Sequence, residues 1–252
     1  MVVLPPGTLL QLMFVEERLR QLPPGRFVEV GPGSGEITGL LLRLGWSGVS
    51  VDLEPRTIDA LAARFSEPVR QDRLRPICGD FLADAVSVAG PVDLVISCMV
   101  MEHMEDAAEL QFLRQAALCL GPGGRMIGLV PGSPRHWGIE DDIAGHCRRY
   151  SAPSLGDLMQ RAGWALMTRT GLTFPVSNLL LPLSNALVRR AEASKLRLSA
   201  LERTRLSGRR SVRFKTHFPP VLGLLLNRAT MTPFHWLQKR FTDSPNALVI
   251  YF

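Results

Sequence analysis

The chain predicts a doubly wound α/β protein: a mostly parallel, seven-stranded sheet with a helical insertion before the last strand. Three observations carry this. Strand-length apolar runs alternate with helix-period segments as far as residue 170. A short apolar run (Phe27, Val28, Val30) passes through Gly31, Gly33 and Gly35 into an apolar periodic segment. Val92–Cys98 is apolar enough to be a central strand buried on both faces.

In order, Leu9, Leu12, Met13 and Leu19 recur on one helical face, predicting a helix over 8–21 with Thr8 as its cap. Pro23, Pro24 and Gly25 end it. Strand one covers 26–31, and its helix covers 35–45 up to Gly45. Val49–Leu53 is strand two, and Pro55 opens a helix through Phe65. Leu74–Cys78 is strand three and Val92–Cys98 strand four. A helix over 107–120 stops at Gly121-Pro122-Gly123-Gly124, before strand five at Arg125–Val130. A helix over 154–162 ends at Gly163, and Ala165–Thr170 is a sixth strand. Residues 172–243 then depart from the alternation, and Ala247–Phe252 makes the last strand. The expected division is a core of 1–171, a basic helical insertion of 172–243, and a return of the chain to the sheet in 244–252.

Composition narrows the function classes. The four cysteines have no Cys-x-x-Cys spacing, so neither a disulfide framework nor a zinc site is expected, and the default compartment is the cytoplasm. No metal is expected at all. The start lacks the basic region of a secretory signal, and no apolar run is long enough to span a membrane. The net charge is +6, but Arg189 to Lys215 holds ten Lys/Arg against two Glu, a local +8. The basicity therefore belongs to one segment, and few aromatics interleave it, which argues against nucleic acid.

The glycine spacing is the sharpest signal. A strand–glycine–helix turn suits an adenosine ligand, because glycine admits close backbone approach. A dinucleotide turn needs its third glycine at position 36, where this chain has Glu36. A carboxylate at a helix mouth opposes pyrophosphate, which that position otherwise favours. Glu29-x-Gly31-x-Gly33-x-Gly35 resembles motif I of the class I S-adenosylmethionine (SAM) methyltransferases.

Further segments fall in that family's order. Asp52 ends strand two, 17 residues past Gly35. Met101-Glu102-His103 is similar to the Leu-Glu-His segment after strand four. Leu120-Gly121-Pro122-Gly123-Gly124 is similar to the turn before strand five. Gly145-His146-Cys147-Arg148-Arg149-Tyr150 resembles the Gly-His-x-Arg-Arg-Tyr segment of a small-molecule and lipid branch. The resemblance covers residues 26–170.

It implies SAM as cofactor, held by Glu29, Gly31, Gly33, Gly35, Asp52 (ribose), Leu53, Asp80 (adenine amino group), Phe81, Cys98 and His103. It implies methyl transfer to O, N or C of a small or lipid-like acceptor. His146 is the candidate base or orienting group, with Asp141 or Asp142 to hold it, and His103 is the second catalytic candidate. Arg149 and Tyr150 are the substrate-side candidates, with ion pairing and helix anchoring as their alternative roles. Phe81 is read equally as core. The insertion is read first as an acceptor lid, with peripheral membrane contact through 172–215 and a homodimer interface as alternatives. The competing functions are a nicotinamide-dependent oxidoreductase and a non-catalytic SAM-binding protein.

Overall fold

In the computed structural model, residues 3–83, 90–198, 202–203 and 218–252 are described. The elements run α1 (Pro6–Leu19), β1 (Arg26–Val30), α2 (Glu36–Arg43), β2 (Ser47–Asp52), α3 (Pro55–Arg64), α4 (Ser66–Arg70), β3 (Leu74–Cys78), β4 (Val92–Cys98), α5 (Asp106–Cys119) and β5 (Leu120–Pro131). After these come α6 (Ile139–Ala144), α7 (Ala152–Arg161), β6 (Thr170–Leu172), α8 (Val176–Glu192), α9 (Arg228–Gln238) and β7 (Val249–Tyr251).

The seven strands form one sheet in the order β3-β2-β1-β4-β5-β7-β6. β1 to β5 are parallel, and β7 lies antiparallel between β5 and β6. Side chains alternate across the sheet. Phe27, Leu94 and Ile96 enter one core layer, with Leu40, Leu41 and Trp46. Val28, Val30 and Val95 enter the other, with Phe112, Leu113 and Leu155. Both faces are thus covered, and each fully buried large side chain contributes roughly 1.5–3 kcal/mol.

This register decides where the site lies. Val30 pairs with Val51 and Ser97, Asp52 with Cys78, and Cys98 with Leu129. The carboxyl ends of β1 to β5 therefore open on one edge. The connection out of β1 leads to β2 and that out of β4 to β5, so the crevice between β1 and β4 is the switch point where doubly wound sheets bind ligands.

The departures from expectation are local. α1 begins at Pro6 with proline in its first turn, and Thr8 does not cap it. The short helix α4 was not anticipated. Residues 121–124 do not precede β5 but form an irregularity inside it: Val92 pairs with Leu120, and Leu94 already with Arg125. The sixth strand is Thr170–Leu172, not 165–170, so a boundary at 171 cuts through it. In the expected insertion, α8 and α9 are helical, while 199–201 and 204–217, with much of the basic segment, lie outside the described residues. α9 packs on α1. There Lys239 pairs with Glu17 at 2.7 Å, and Gln238 donates to the Leu10 carbonyl at 3.1 Å. This part of the insertion braces the core.

Candidate active site

The first half of the site is built from backbone. Gly31, Gly33 and Gly35 have φ of +69°, +53° and +82°, a region that other residues adopt at a cost of about 1–3 kcal/mol. A Cβ on Gly31 would lie 2.5 Å from Val100, and one on Gly35 2.6 Å from Leu61. Protein packing therefore requires glycine at both positions, whatever ligand approaches. Gly35 caps α2. Glu36 opens that helix, and Arg64 pairs with it at 2.8 Å, so its charge does not stand alone against an anion.

Asp52, half-buried at the end of β2, accepts from the Glu54 N–H at 2.8 Å. Leu53 beside it is 58% exposed. Asp80 is exposed and accepts from the Leu82 N–H at 2.9 Å. These three residues and the glycine turn line the β1–β3 end of the edge. Glu29 and Phe81 are corrections. The Glu29 carboxylate is 3% exposed and accepts from the Thr38 and Ser50 hydroxyls at 2.5 and 3.0 Å. It ties β1 to β2 and α2 from beneath the turn, and burial pushes its pKa up to about 7. Phe81 is 4% exposed and packs on Phe112 with ring centroids 5.4 Å apart, so it belongs to the core. Cys98 ends β4 half-buried, its thiol pushed up to about 12 by burial and by the carboxylates of Glu102 and Glu29.

The second half is built from side chains. Met99 takes φ +56° and donates its N–H to the Leu129 carbonyl at 2.8 Å. The chain turns sharply there into one 3₁₀ turn, Met101–His103. Glu102 is thereby fully buried, with its carbonyl accepting the Cys147 N–H at 2.6 Å. The opposite wall is α6, a helix not anticipated from the sequence. Its Asp141 carboxylate accepts from the Gly138 N–H at 2.8 Å, closing the first turn, and Gly145 ends it at φ +76°.

His146 follows. Its Nδ1 lies 2.8 Å from Asp141, which also receives Arg149 Nε at 2.7 Å. Asp141 is completely buried, yet these partners pull its carboxyl below the usual range, so the imidazole Nδ1 is the donor. Its Nε2 faces Glu102 Oε1 at 3.8 Å. His103 stands nearly perpendicular to His146, ring centroids 4.8 Å apart. Burial pushes His103 down to about 4, so it is neutral.

Of the two aspartates, Asp141 thus holds His146, while Asp142 accepts from the Trp137 indole at 2.9 Å. The substrate-side candidates are corrected. The Arg149 side chain is 8% exposed and bound to Asp141 and to the Gly132 carbonyl at 3.1 Å. Tyr150 is 2% exposed, and its hydroxyl donates to Glu109 of α5. Both hold the loop to the fold. Glu102, which the sequence singled out for no role, is the buried acid that faces His146, and its only signal was an acid directly before a histidine. Among the described residues, Glu102, His103 and His146 form a group whose ligand atoms lie within 4.8 Å of one another.

A methyltransferase domain family model matches residues 9–168. The chain is 35% identical over 103 residues to a ubiquinone biosynthesis O-methyltransferase of Caulobacter sp. (strain K31), covering 40% of this chain and 39% of that protein. It is 32% identical over 112 residues to the Mus musculus acetylserotonin O-methyltransferase, covering 42% and 28%. It therefore spans less than two fifths of the length of these curated relatives. Two solved structures share the fold. The pyocyanin biosynthetic protein PhzM has a TM-score of 0.52 at 23% identity, covering 62% of this chain and 50% of that one. The methyltransferase domain of bacterial CtHen1 has a TM-score of 0.54 at 13% identity, covering 66% and 90%.

Proposed function

Since the chain belongs to the methyltransferase domain family, we propose that it is a SAM-dependent methyltransferase acting on a hydroxyl of a small or lipid-like acceptor. One observation carries the reading: a strained glycine turn and an aspartate-held histidine meet at the switch point. Gly31 packs against Val100, and Glu102 and His103 follow directly, beside His146.

The residues fit the cofactor. The turn offers backbone without Cβ atoms, and Asp52 and Asp80 present carboxylates at the ends of β2 and β3. Asp52 would accept from ribose hydroxyls, Asp80 from the adenine amino group, and Leu53 would flank the ring. SAM supplies a methyl already activated on a sulfonium. The chain's remaining work is to orient the acceptor and exclude water. His146 Nε2 accepts from the acceptor hydroxyl, orients its oxygen, and takes the proton as the new bond forms. Asp141 holds the ring and balances the resulting imidazolium. The O-methyltransferase relatives favour oxygen as the acceptor atom.

α8 packs on α6, the helix that leads into His146, which favours the lid reading of the insertion. Leu179, Leu180 and Leu183 of α8 are exposed, ahead of Arg189 and Arg190, which favours a lipid-like acceptor or peripheral contact with an anionic membrane. No helix among the described residues is long and apolar enough to cross a membrane.

Titration calorimetry with SAM and an assay of methyl transfer test the reading. Asp52→Ala is expected to weaken SAM binding on the order of tenfold, the loss of a charged hydrogen bond. His146→Ala is expected to lower turnover roughly 10²-fold or more with SAM affinity kept. Nicotinamide binding without SAM binding sinks the proposal. SAM binding with no transfer to any hydroxyl library leaves a non-catalytic binder.

A further inference from the structure

We propose that Glu102, His103 and His146 bind a divalent first-row transition ion, of the Mn²⁺, Co²⁺ or Zn²⁺ kind, at the acceptor side of the switch point. The inference rests on the hydroxyl-acceptor reading and changes two things in it: the ion, rather than Nε2, holds the acceptor oxygen, and the proton leaves to water rather than to His146.

Three candidate ligand groups converge here, the Glu102 carboxylate and one ring nitrogen each of His103 and His146. Both Glu102 carboxylate oxygens are buried and have no hydrogen-bond partner among the described residues. Leaving such a group unmatched costs at least about 1–3 kcal/mol, more if it is charged. The nearby cations are committed elsewhere: Arg149 to Asp141 and Gly132, Arg148 to Asp106, Glu109 and the Met104 carbonyl. Each imidazole has one nitrogen fixed by an acceptor, Asp141 for His146 and the Gly145 backbone for His103. In the neutral ring each other nitrogen is then a lone pair that a metal ion can take. A cation satisfies all three groups together.

The geometry is near that of a mononuclear site. The three ligand atoms lie within 4.8 Å of one another, with Nε2 and Oε1 at 3.8 Å. Bonds of about 2.0–2.2 Å to a common ion call for small inward adjustments of the side chains. The surroundings are those of a metal-held histidine: Asp141 fixes the His146 tautomer and the orientation of its ring. Two imidazoles with one carboxylate favour transition ions over Mg²⁺ or Ca²⁺, which prefer oxygen.

Three protein ligands leave coordination positions open. A hydroxyl on the ion ionises more readily. Its O–H bond breaks and the proton passes to water. The oxygen pair then forms the O–C bond as the S–C bond breaks, so one proton is released per methyl moved.

The test uses the full chain, stripped with chelator and titrated with Co²⁺, followed by its visible ligand-field bands and by calorimetry. One Co²⁺ per chain is expected, competed by Zn²⁺ and not by excess Mg²⁺. Glu102→Gln and His146→Ala are each expected to weaken it at least about tenfold, with SAM affinity on the same samples as the check of folding. Absence of bands and heat in protein that binds SAM overturns the site. So does unchanged Co²⁺ affinity in both variants. Protein that takes Co²⁺ in this variant-sensitive way but binds no SAM keeps the ion site and removes the methyl-transfer reading.

Discussion

Two buried carboxylates mark the two halves of the site, and burial acts on them with opposite outcomes. Glu29, under the glycine turn, has only hydroxyls and backbone for partners, and its pKa is pushed up to about 7. Asp141, behind His146, receives Arg149, His146 and a backbone N–H, and its pKa is pulled down. Both are buried to a similar degree. What differs is whether a positive partner was folded in beside them. The glycine-turn half is thus held by shape and neutral hydrogen bonds. The His146 half is held by a charged network that also orients the imidazole.

The largest expected break in this contrast is Asp141→Ala. It leaves the Arg149 guanidinium buried without its counter-charge, and should cost about 3–5 kcal/mol in denaturant unfolding. Loss of less than about 1 kcal/mol would mean the network is not what holds the loop.

Glu29→Gln should instead show in the pH profile. A carboxyl raised in the fold binds its proton more tightly there than in the unfolded chain. Its contribution is therefore present at low pH and lost as pH rises from the ordinary 4.5 through about 7. The variant should lose part of the decline in stability between pH 5 and 8; Glu102, raised in the same way, keeps the rest. Asp141 has the opposite sign, its stability being present at neutral pH and lost only as pH falls below the ordinary aspartate range. An unchanged slope in Glu29→Gln from thermal melts at several pH values would remove Glu29 as a titrating brace.

The smallest effect belongs to Tyr150→Phe. It removes one hydrogen bond to Glu109, which keeps Arg148. About 1 kcal/mol of stability should go, with the Michaelis constant for the acceptor unchanged. A raised constant would return Tyr150 to the substrate.

Much of this was legible in the chain. The glycine turn, Asp52 and the order of strands are local patterns, because a turn and the strand beside it lie within a few tens of residues. Gly35 as the cap of α2 and Pro55 opening α3 follow from intrinsic backbone preference. Thr170–Leu172 was misplaced because its pairing with β7 comes from some eighty residues away. α6 was not anticipated because Glu140, Asp141 and Asp142 look like solvated charge, and only the fold buries Asp141.

The sequence by itself determined the sheet, the turn and the kind of residues present around His146. The tertiary structure decided which of them face each other. Tyr150 and Phe81 went to the core and Arg149 to Asp141, while Glu102, about forty residues before His146, was buried beside its Nε2. Those outcomes depend on long-range packing and on which charges share a dry space. No local spacing encodes them.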